Sequence, residues 1–245
     1  MHKMENNNSV FKKAAIVLPS LDPDEKFLNV VSSLIEAGFE HIVIVDDGSD
    51  MDHQKYFTQA DENEQVTVIH HGINKGKGRA LKTAFGYIIG NMPEILGAVT
   101  IDGDGQHLTK DIIACGELML EKGDKIIIGC RDFDQPGVPA RSVTGNKLTS
   151  KLFDVVFKMK ISDTQTGLRA IPRKYLSAFC GFKGERFEYE TNMLLQMQRR
   201  GIGYIEQPIE TVYDPDDYSS HYDGVKDTIR VGKVMAGYLL SGGGR

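Results

Sequence analysis

The sequence lacks tryptophan, is poor in cysteine and contains no long apolar run. Its three cysteines, Cys115, Cys130 and Cys180, are widely spaced and form no C-x-x-C pair. They indicate buried thiols of a reducing compartment, not a disulfide framework or a zinc site. No stretch reaches the roughly 18 apolar residues that span a bilayer, and the polar residues 1–10 lack the apolar core of a secretory signal. We therefore expect a cytoplasmic chain, and peripheral work at the cytoplasmic face of a membrane stays open.

A strong charge of one sign is also missing. The net charge of −5 gives no general attraction to nucleic acid, so we expect no nucleic-acid partner. A local basic cluster would still bind phosphates, because the overall charge does not describe a single pocket. The hydrophobic fraction of 40% and the charged fraction of 26% are typical of a soluble globular protein with an ample core.

Short apolar runs alternate with amphipathic segments through the first half of the chain. Residues 14–18 form an apolar run that stops at Pro19, as a buried parallel strand would. Asp22 as N-cap, with Pro23 and Glu25 after it, predicts a helix that ends at Gly38. Further strands are expected at 41–45, 66–70, 98–101 and 125–129, an extended segment at 204–212, and helices at 79–90, 109–123 (capped by Thr109), 142–158, 189–200 and 225–240. This rhythm predicts an α/β fold with an open, mostly parallel sheet and helices on both faces.

The sequence contains no internal repeat or low-complexity linker, so one domain is expected. The regular alternation of strands and helices weakens after Arg131. We expect a flexible N-terminus over residues 1–13 and a domain over 14–232, made of a regular half (14–131) and a less regular half (132–232). Residues 233–245 would then be a helix end and tail.

Polar motifs follow the expected strands at the point where each strand ends. They are Pro19-Ser20, Asp46-Asp47, the turn around Lys75 and Lys77, Asp102 to Asp104, and Arg131. Ligands bind outside the carboxyl ends of the strands in such sheets, so this convergence predicts a catalytic cleft. The turn at 72–78 lacks the Ser or Thr that follows the lysine of a P-loop, and the chain lacks the G-x-G-x-x-G of dinucleotide enzymes.

Asp102 and Asp104 lie two residues apart directly after an expected buried strand. Such a pair suits a hard divalent cation such as Mg²⁺ or Mn²⁺, which prefers oxygen ligands and keeps positions for water and phosphate. Gln106 adds a neutral oxygen, and His107 adds a nitrogen ligand or a hydrogen bond. The alternative is an Asp-Gly turn that only ends the strand, but the neighbouring motifs favour the metal site.

Two further motifs predict a place for a nucleotide. Asp46 and Asp47 would lie near a ribose or base, although a simple turn is the alternative. The stretch from Gly76 to Arg79 opens a helix, so its N–H groups, the helix dipole and two cations would hold a diphosphate. A flexible, solvated turn is the alternative there.

Taken in order, these pieces resemble the family 2 glycosyltransferases, and more closely the dolichyl- or polyprenyl-phosphate mannose or glucose synthase branch. The matching stretches are Val17-Leu18-Pro19-Ser20, Ile44-Val45-Asp46-Asp47-Gly48-Ser49, Asn74-Lys75-Gly76-Lys77-Gly78-Arg79-Ala80, Asp102-Gly103-Asp104-Gly105-Gln106-His107, Ile128-Gly129-Cys130-Arg131, Ser162-Asp163-Thr164-Gln165-Thr166-Gly167-Leu168-Arg169 and Ser219-Ser220-His221-Tyr222. The resemblance spans about residues 14–232 and is specific as a set, although each piece alone is weak. It implies a GT-A fold with a nucleotide-sugar-binding half at 14–131 and an acceptor-side half at 132–232.

The resemblance also implies a reaction and a role for each motif. A hexose would pass, with inversion, from a UDP- or GDP-sugar to a polyprenyl phosphate, or alternatively to a glycan or other hydroxyl. The resemblance implies a nucleotide pocket lined by Pro19, Ser20, Asp46, Asp47, Gly76 and Lys77, with a ribose and metal contact at Asp102 and Gly103. Asp104 and Gln106 would hold a metal ion (Mg²⁺ or Mn²⁺) on the diphosphate. Arg131 and Arg169 would contact phosphates. Two departures concern the acceptor. Only residues 225–240 resemble a membrane anchor, and the first loop lacks the Tyr-Asn of many relatives.

The need for a base depends on the acceptor. A phosphate oxygen is already anionic near neutral pH, whereas a sugar hydroxyl needs a carboxylate to take its proton. Asp163 is the candidate base, and capping the turn at 164–166 is the alternative. Glu188 and Glu190 equally suit a helix start as dipole partners, and His221 suits a loop near phosphate.

Three other function classes fit the sequence less well. A sugar-phosphate nucleotidyltransferase would carry a glycine-rich basic loop after the first strand, where this chain has Pro19 to Pro23. A phosphatase that uses Asp102 as nucleophile lacks convincing downstream partners. A non-enzymatic nucleotide-sugar-binding domain would not need the full set of metal-site oxygens.

Overall fold

The computed structural model describes residues 10–135, 138, 140–210, 212 and 224–242. Within these ranges, seven strands form one sheet in the order β3-β2-β1-β4-β6-β5-β7. The strands are β1 (Ala14–Ser20), β2 (Ile42–Asp46), β3 (Val66–His70), β4 (Gly97–Thr100), β5 (Ile126–Arg131), β6 (Arg169–Pro172) and β7 (Tyr204–Ile209). The expected α/β sheet is therefore confirmed.

The sheet is parallel except at β6. This strand lies between β4 and β5 and runs antiparallel to both, with Ala170 paired to Val99 on one side and to Ile127 on the other. The remaining pairings are parallel. Because β6 reverses direction between them, β4 and β5 still point the same way, and their carboxyl ends meet at one edge.

Helices cover both faces of the sheet, as expected. They are α1 (Glu25–Ala37), α2 (Gln54–Asp61), α3 (Lys77–Asn91), α4 (Thr109–Lys122), α5 (Ala140–Phe157), α6 (Arg173–Cys180), α7 (Glu188–Arg199) and α8 (Lys226–Leu240). One core packs α1, α2 and α4 on the strand residues that include Ile16 and Ile44. The other core packs α3, α5, α6 and α7 on the opposite face, on residues that include Val17 and Val45. This alternation along each strand follows from the two-residue period of β structure.

Helix α1 begins two residues later than the sequence indicates. Its N-cap is Asp24, whose carboxylate accepts the N–H of Lys26 at 2.9 Å. Asp22, the expected cap, has a φ of 45°. Its N–H donates to Oγ of Ser49, and its Oδ1 accepts the N–H of Asp50. The expected cap is therefore wrong, because Asp22 joins the loop after β1 to the loop after β2. The C-terminal end at Gly38, in the left-handed conformation, is as predicted.

The carboxyl end of β1 and the residues before this strand also differ from expectation. The strand continues through Pro19 to Ser20, with Pro19 in register with Val45 of β2. Residues 10–13 form a helical turn and Val10 is fully buried, so the flexible N-terminus does not include these residues. Residues 1–9 lie outside the described part of the chain.

Some elements were not predicted at all, namely α2, β6 and α6. At α4, Leu108 occupies the N-cap position, and the hydroxyl of Thr109 instead donates to Oγ of Ser33 at 3.1 Å. In the described ranges, no helix combines the length and the apolar character that a bilayer crossing requires. Helix α8, the one segment that resembles an anchor in the sequence, is tied to the domain by Tyr238, whose ring contacts that of Phe157.

Candidate active site

The strand-end motifs gather at one edge of the sheet. Ser20 ends β1, Asp46 ends β2, Asp102 follows β4 by two residues, and Arg131 ends β5. The carbonyl of Ser20 accepts the N–H of Asp47 at 2.8 Å, so the first two motifs touch directly. The edge therefore has the position at which α/β sheets bind their ligands.

Lys77 lies between the carboxylates of Asp102 and Glu190. Its Nζ is 2.7 Å from Oδ1 of Asp102 and 2.9 Å from Oε2 of Glu190. Burial alone would lower the pKa of Lys77, but the two negative charges raise it above its ordinary value. Burial alone would raise the pKa of Asp102, but Lys77, with His107 nearby, brings it well below its usual range. Lys77 and Asp102 are therefore both charged at neutral pH.

Asp104 stands at the exposed mouth of this cluster. Its Oδ1 accepts the N–H of Gln106 at 3.0 Å. Desolvation of the carboxylate and the negative charge of Asp102 raise the pKa of Asp104. A divalent cation would relieve this repulsion, and the side-chain oxygens of Asp102, Asp104 and Gln106 are the ligands that Mg²⁺ and Mn²⁺ prefer. The residues present therefore fit a hard divalent cation.

Two neighbours support the Asp102 carboxylate. Gly167 packs against it so closely that an added Cβ would lie 2.7 Å from Cγ of Asp102. The buried ring of His107 places Nε2 3.6 Å from Oδ2 of Asp102, which is longer than a hydrogen bond. Neither ring nitrogen of His107 has a hydrogen-bond partner among the described residues. His107 thus contributes a polar ring beside the carboxylate.

Asp46 and Asp47 use their carboxylates to fix the surrounding loops. Asp46 accepts from Ser49 N–H, from Gln54 Nε2 and from the His70 ring. Burial would raise the pKa of Asp46, but these hydrogen bonds together lower it. Asp47 accepts the N–H groups of Lys75 and Gly76 at 3.0 and 2.6 Å, and its Oδ1 is 2.7 Å from Nδ1 of His71. Their predicted contact with a nucleotide stays a prediction, whereas their hold on the loops is a feature of the fold.

Of the two cations expected near the turn before α3, Lys77 lies in the cleft and Arg79 does not. Gly76 has a φ of 101°, and an added Cβ would lie 2.5 Å from the carbonyl oxygen of Glu185, so the turn requires glycine there. Lys77 reaches Asp102 directly after this turn. Arg79 instead forms a two-pronged pair with Glu185, with Nε to Oε2 at 2.6 Å and Nη2 to Oε1 at 2.8 Å. The expected pair of phosphate-binding cations is thus reduced to Lys77.

The other implied pocket residues lie at the same edge. Pro19 and Ser20 form the half-buried end of β1. Gly103 follows Asp102 and sits near Phe27 and Leu18, where an added Cβ would make ordinary contacts at 3.5 and 3.6 Å. Their roles toward a nucleotide remain predictions.

Arg131 and Asp163 are brought together as a buried ion pair. Nε of Arg131 donates to Oδ2 of Asp163 at 2.7 Å, and Nη2 donates to Oδ1 at 3.2 Å. Asp163 is fully buried and also accepts the N–H of Gln165 at 3.0 Å. This geometry supports the capping interpretation of Asp163 and does not support its use as a base, because its oxygens face a guanidinium and a backbone N–H.

Arg169 lies in the interior and not on the cleft surface. It is 1% exposed, and its Nη1 donates to the carbonyl oxygen of Glu190 at 2.9 Å. The guanidinium therefore meets the first turn of α7, the helix that carries Glu190 to Lys77. A direct phosphate contact does not fit this position, and the structure corrects that expectation. His221 lies outside the described residues.

Glu190 is the site residue that sequence reasoning undervalued. Its position at a helix start predicts only a helix-dipole partner, whereas the structure brings it to Lys77. Glu185, which engages Arg79 and also Lys82 at 3.0 Å, was not singled out at all. The sequence does show several acidic residues near the start of α7. It does not show their basic partners, which lie about a hundred residues earlier in the chain.

The fold is an α/β sheet with acidic and basic side chains gathered at the carboxyl ends of its strands, which is the arrangement of a ligand-binding α/β enzyme. The model of the family described as glycosyl transferase family 2 matches residues 16–180, so the chain belongs to that family and is a glycosyltransferase.

Relatives and solved structures agree with this assignment. An uncharacterized protein of Methanocaldococcus jannaschii is 28% identical over 212 residues, covering 85% of this chain and 83% of that one. The UDP-N-acetylglucosamine--dolichyl-phosphate N-acetylglucosaminyltransferase of Methanococcus voltae is 27% identical over 217 residues, covering 81% and 85%. A glucosyl-3-phosphoglycerate synthase of Mycobacterium tuberculosis, solved with Mn²⁺, UDP and glucosyl-3-phosphoglycerate, shares the fold with a TM-score of 0.68 at 17% identity, covering 97% and 82%. The expected GT-A fold is confirmed.

Proposed function

We propose that the chain transfers a sugar from a UDP- or GDP-sugar to a polyprenyl phosphate, with Mg²⁺ or Mn²⁺ held by Asp102, Asp104 and Gln106. Membership of family 2 supports the transfer of a sugar. The Methanococcus voltae relative, which by its name uses UDP-N-acetylglucosamine and dolichyl phosphate, supports the nucleotide and the acceptor class. UDP-N-acetylglucosamine is therefore the first donor to test.

One observation carries the choice of acceptor. Asp163, the candidate base, and the two acidic residues at the start of α7 are already engaged. Asp163 faces Arg131, Glu190 faces Lys77, and Glu188 accepts the N–H of Glu185 at 3.0 Å. An acceptor that is itself anionic, such as a lipid phosphate, needs no base of this kind. The engaged carboxylates therefore favour a phosphate acceptor over a hydroxyl.

The residues on the donor side then act through charge and position. A bound cation would neutralise the charge that grows on the departing nucleoside diphosphate. Lys77 stays protonated because of its raised pKa, so it would add a second positive charge from the opening of α3. Asp102 orients Lys77 through the 2.7 Å contact. An acceptor oxygen would attack the anomeric carbon from the opposite face and invert its configuration.

A hydroxyl acceptor is the second candidate, and Glu190 is the observation that favours it. Its carboxylate is 2.9 Å from Lys77, which also contacts Asp102, so Glu190 lies beside the expected metal site without being one of its proposed ligands. For a hydroxyl acceptor, Glu190→Gln would lower kcat by about 10²–10⁴-fold, the usual contribution of a general base. For a phosphate acceptor, the same variant would retain most of its turnover.

The direct test is the metal dependence of donor binding and transfer. UDP, GDP, UDP-N-acetylglucosamine and GDP-mannose would be titrated calorimetrically with and without Mn²⁺, and transfer to a short-chain polyprenyl phosphate would be measured. We expect Asp104→Asn to reduce metal-dependent transfer by about a hundredfold or more, since a metal supplies several kcal/mol of charge stabilisation. The control is Asp52→Asn, which changes an exposed carboxylate of the loop after β2. Full activity of Asp104→Asn without metal would overturn the assignment.

A further inference from the structure

The ammonium group of Lys77 is shared between two carboxylates from different parts of the fold. Its Nζ is 2.7 Å from Oδ1 of Asp102, which follows β4, and 2.9 Å from Oε2 of Glu190, in the first turn of α7. The side chains of Lys77 and Glu190 are only 17% and 14% exposed, so water screens this pair less than it screens a surface ion pair. The ring of Phe187 lies 5.8 Å from Nζ and covers it further. Both carboxylates therefore act on Lys77 at the same time.

The backbone that carries Lys77 is packed against the helix that carries Glu190. An added Cβ at Gly78 would lie 2.4 Å from Cβ of Tyr189, the residue before Glu190. The first turn of α7 is also held from the interior, because Nη1 of Arg169 donates to the carbonyl oxygen of Glu190 at 2.9 Å. The contact between Lys77 and Glu190 is thus set by the packing of two helices and not by a mobile surface loop.

The two oxygens of Asp102 have unequal surroundings. Oδ1 meets Lys77, whereas Oδ2 faces Gly167, where an added Cβ would lie 2.2 Å away, and the ring of His107 at 3.6 Å. A cation that binds Asp102 must therefore share this carboxylate with the ammonium of Lys77. Two positive charges at one carboxylate repel each other. The affinity for the cation then depends on how strongly Lys77 is held by Asp102.

The charges at this edge of the sheet are suited to a divalent cation. Asp102, Asp104 and Glu190 contribute three carboxylates against the single ammonium of Lys77, which leaves two negative charges in excess. A divalent cation neutralises this excess. Without the charge of Glu190 the excess falls to one, and Lys77 is left with Asp102 as its remaining carboxylate. Both effects weaken the binding of a cation at Asp102 and Asp104.

We propose that Glu190 is a positioning residue that sets the affinity of the Asp102–Asp104 pair for a divalent cation, and that it acts through Lys77. Glu190 takes a share of the ammonium, so Asp102 keeps negative charge for the metal. The inference rests on the proposed function for the metal itself, and it gives Glu190 the same task whichever acceptor is used. In this role Glu190 stays paired with Lys77 and takes no proton from an acceptor.

The test is a titration of Mn²⁺ into the full chain without nucleotide, in which electron paramagnetic resonance measures the unbound Mn²⁺. Glu190→Gln should weaken Mn²⁺ binding by about tenfold, the scale of one charge lost a few ångströms away. Lys77→Gln should strengthen it by about tenfold, because the competing ammonium is gone. The decisive variant combines the two changes. In the Lys77→Gln background, Glu190→Gln should weaken binding by about threefold at most, since only its direct attraction for the metal is left to lose.

The matched control is Glu188→Gln, which removes the same charge from the same helix start. The Oε1 atom of Glu188 accepts the N–H of Glu185 at 3.0 Å, and the amide oxygen of glutamine can still accept it. We expect this control to change the affinity for Mn²⁺ by less than about twofold, because a more distant charge is screened by solvent.

The dependence of transfer on Mn²⁺ gives a second measurement that does not require the Lys77 variant to fold. Glu190→Gln should raise the Mn²⁺ concentration for half-maximal transfer by about tenfold. It should keep kcat at saturating Mn²⁺ within about threefold of the parent chain and should keep the unfolding temperature. A general base at Glu190 would instead lower kcat by about 10²–10⁴-fold at every Mn²⁺ concentration, and a merely structural role would lower the unfolding temperature. Either result would overturn the inference.

The binding results separate the inference from the proposed function. Equal weakening by Glu190→Gln in the parent and Lys77→Gln backgrounds would show that Glu190 does not act through Lys77, and unchanged binding in Glu190→Gln would show that it does not act at all. Binding of Mn²⁺ only when UDP is present would also overturn the inference. All three results leave the proposed function standing. Failure of Mn²⁺ to bind in either condition, or binding that Asp104→Asn leaves unchanged, would instead count against the proposed function.

Discussion

Asp47 holds the loop that carries Lys77, and it does so through the backbone. Its two carboxylate oxygens accept the N–H groups of Lys75 and Gly76, and His71 adds a third contact. Hydrogen bonds to a charged group typically contribute about 1.5–3 kcal/mol each. The position of Lys77 relative to Asp102 therefore depends on a residue two strands away in the sheet.

We predict that Asp47→Asn lowers the free energy of unfolding by about 2–3 kcal/mol, because the amide nitrogen of asparagine cannot accept one of these backbone N–H groups. Urea unfolding measures this change, and calorimetry should show weaker nucleotide binding as the turn loosens. Asp52→Asn, an exposed change in the same loop, should stay within about 0.5 kcal/mol. Equal stability of both variants would contradict the role given to Asp47.

His53 makes a pH-dependent link between two loops of the site. Its Nδ1 is 2.6 Å from Oδ1 of Asp50 and 3.7 Å from Oδ1 of Asp22. The hydrogen bond to Asp50 raises the pKa of His53, and the same bond lowers the pKa of Asp50. The raised pKa of His53 means that its contribution is complete below its unfolded pKa of about 6.5 and is lost as pH rises through the folded value. The lowered pKa of Asp50 means that its contribution is lost as the solution becomes strongly acidic.

Replacing His53 by glutamine should therefore destabilise the chain more at about pH 5.5 than at about pH 8.5. Chemical unfolding of both proteins at the two pH values measures the difference. His41→Gln is the matched control, because His41 precedes β2 at the opposite end from this cluster. A loss that does not change with pH would rule out the ion pair as its cause.

At the scale of residues, the sequence predicted where the site lies better than it predicted which side chains pair with each other there. The placement of Asp102 and Asp104 after β4, and of Lys77 after the turn that follows β3, follows from the direction of parallel strands, so it was predictable. The burial of Asp163 and Arg169 was not, because both depend on partners that lie far away in sequence or on a strand that was not foreseen. A motif states which side chains are near a site but not which of them face the solvent.

At the scale of elements, α3 and α7 approach each other at Gly78. An added Cβ there would lie 2.8 Å from Cγ of Tyr189, which is a fully buried ring. Glycine is unfavourable inside a helix by about 0.5–1 kcal/mol relative to alanine, so its presence at this position indicates that close packing outweighs helix propensity.

Gly78→Ala should lower the free energy of unfolding by about 2 kcal/mol, since overpacking of this kind costs about 1–3 kcal/mol. Gly86→Ala in the same helix is the matched control. Gly86 is exposed with nothing within 4 Å of an added Cβ, so alanine should stabilise it by about 0.5–1 kcal/mol. Thermal unfolding of the two variants should shift in opposite directions, and shifts of the same sign would contradict the packing argument.

Elements with a strong periodic pattern were predicted, and short elements were not. Strands β1 and β5 are apolar up to the polar residue that ends each of them, and α1 has a clear apolar stripe. Strand β6 has only four residues and follows a polar loop, so nothing local distinguishes it from that loop. Pairing with β4 and β5 makes it a strand, which is a tertiary effect. The cap of α1 was misplaced because Asp22 and Asp24 are equally good caps, and only the contacts of Asp22 with the next loop decide between them.

At the scale of the whole molecule, the two halves expected from the sequence share one sheet. Strand β6, from the second half, separates β4 from β5, both from the first. Residues of both halves also meet in one core, which contains Val17 as well as Met193. The sequence pattern therefore changes at Arg131, but a single sheet contains strands from both sides of that boundary.

We predict that a chain ending at Arg131 does not fold cooperatively, since β4 and β5 lack the strand that joins them. Circular dichroism should show no sharp thermal transition, and the fragment should bind a hydrophobic dye. The full chain should unfold in a single transition seen equally by circular dichroism and tyrosine fluorescence. A stable, cooperative fragment would show that the first half is an independent unit.

The insertion of β6 has a consequence for synthesis on the ribosome. Strands β1 to β5 emerge from the ribosome about forty residues ahead of β6, so the growing chain exposes the open edges of β4 and β5 for the time needed to make those residues. At about 5–20 residues per second this interval is a few seconds. Unpaired edges of this kind pair readily with other chains, so the protein is most vulnerable to aggregation before Pro172 emerges.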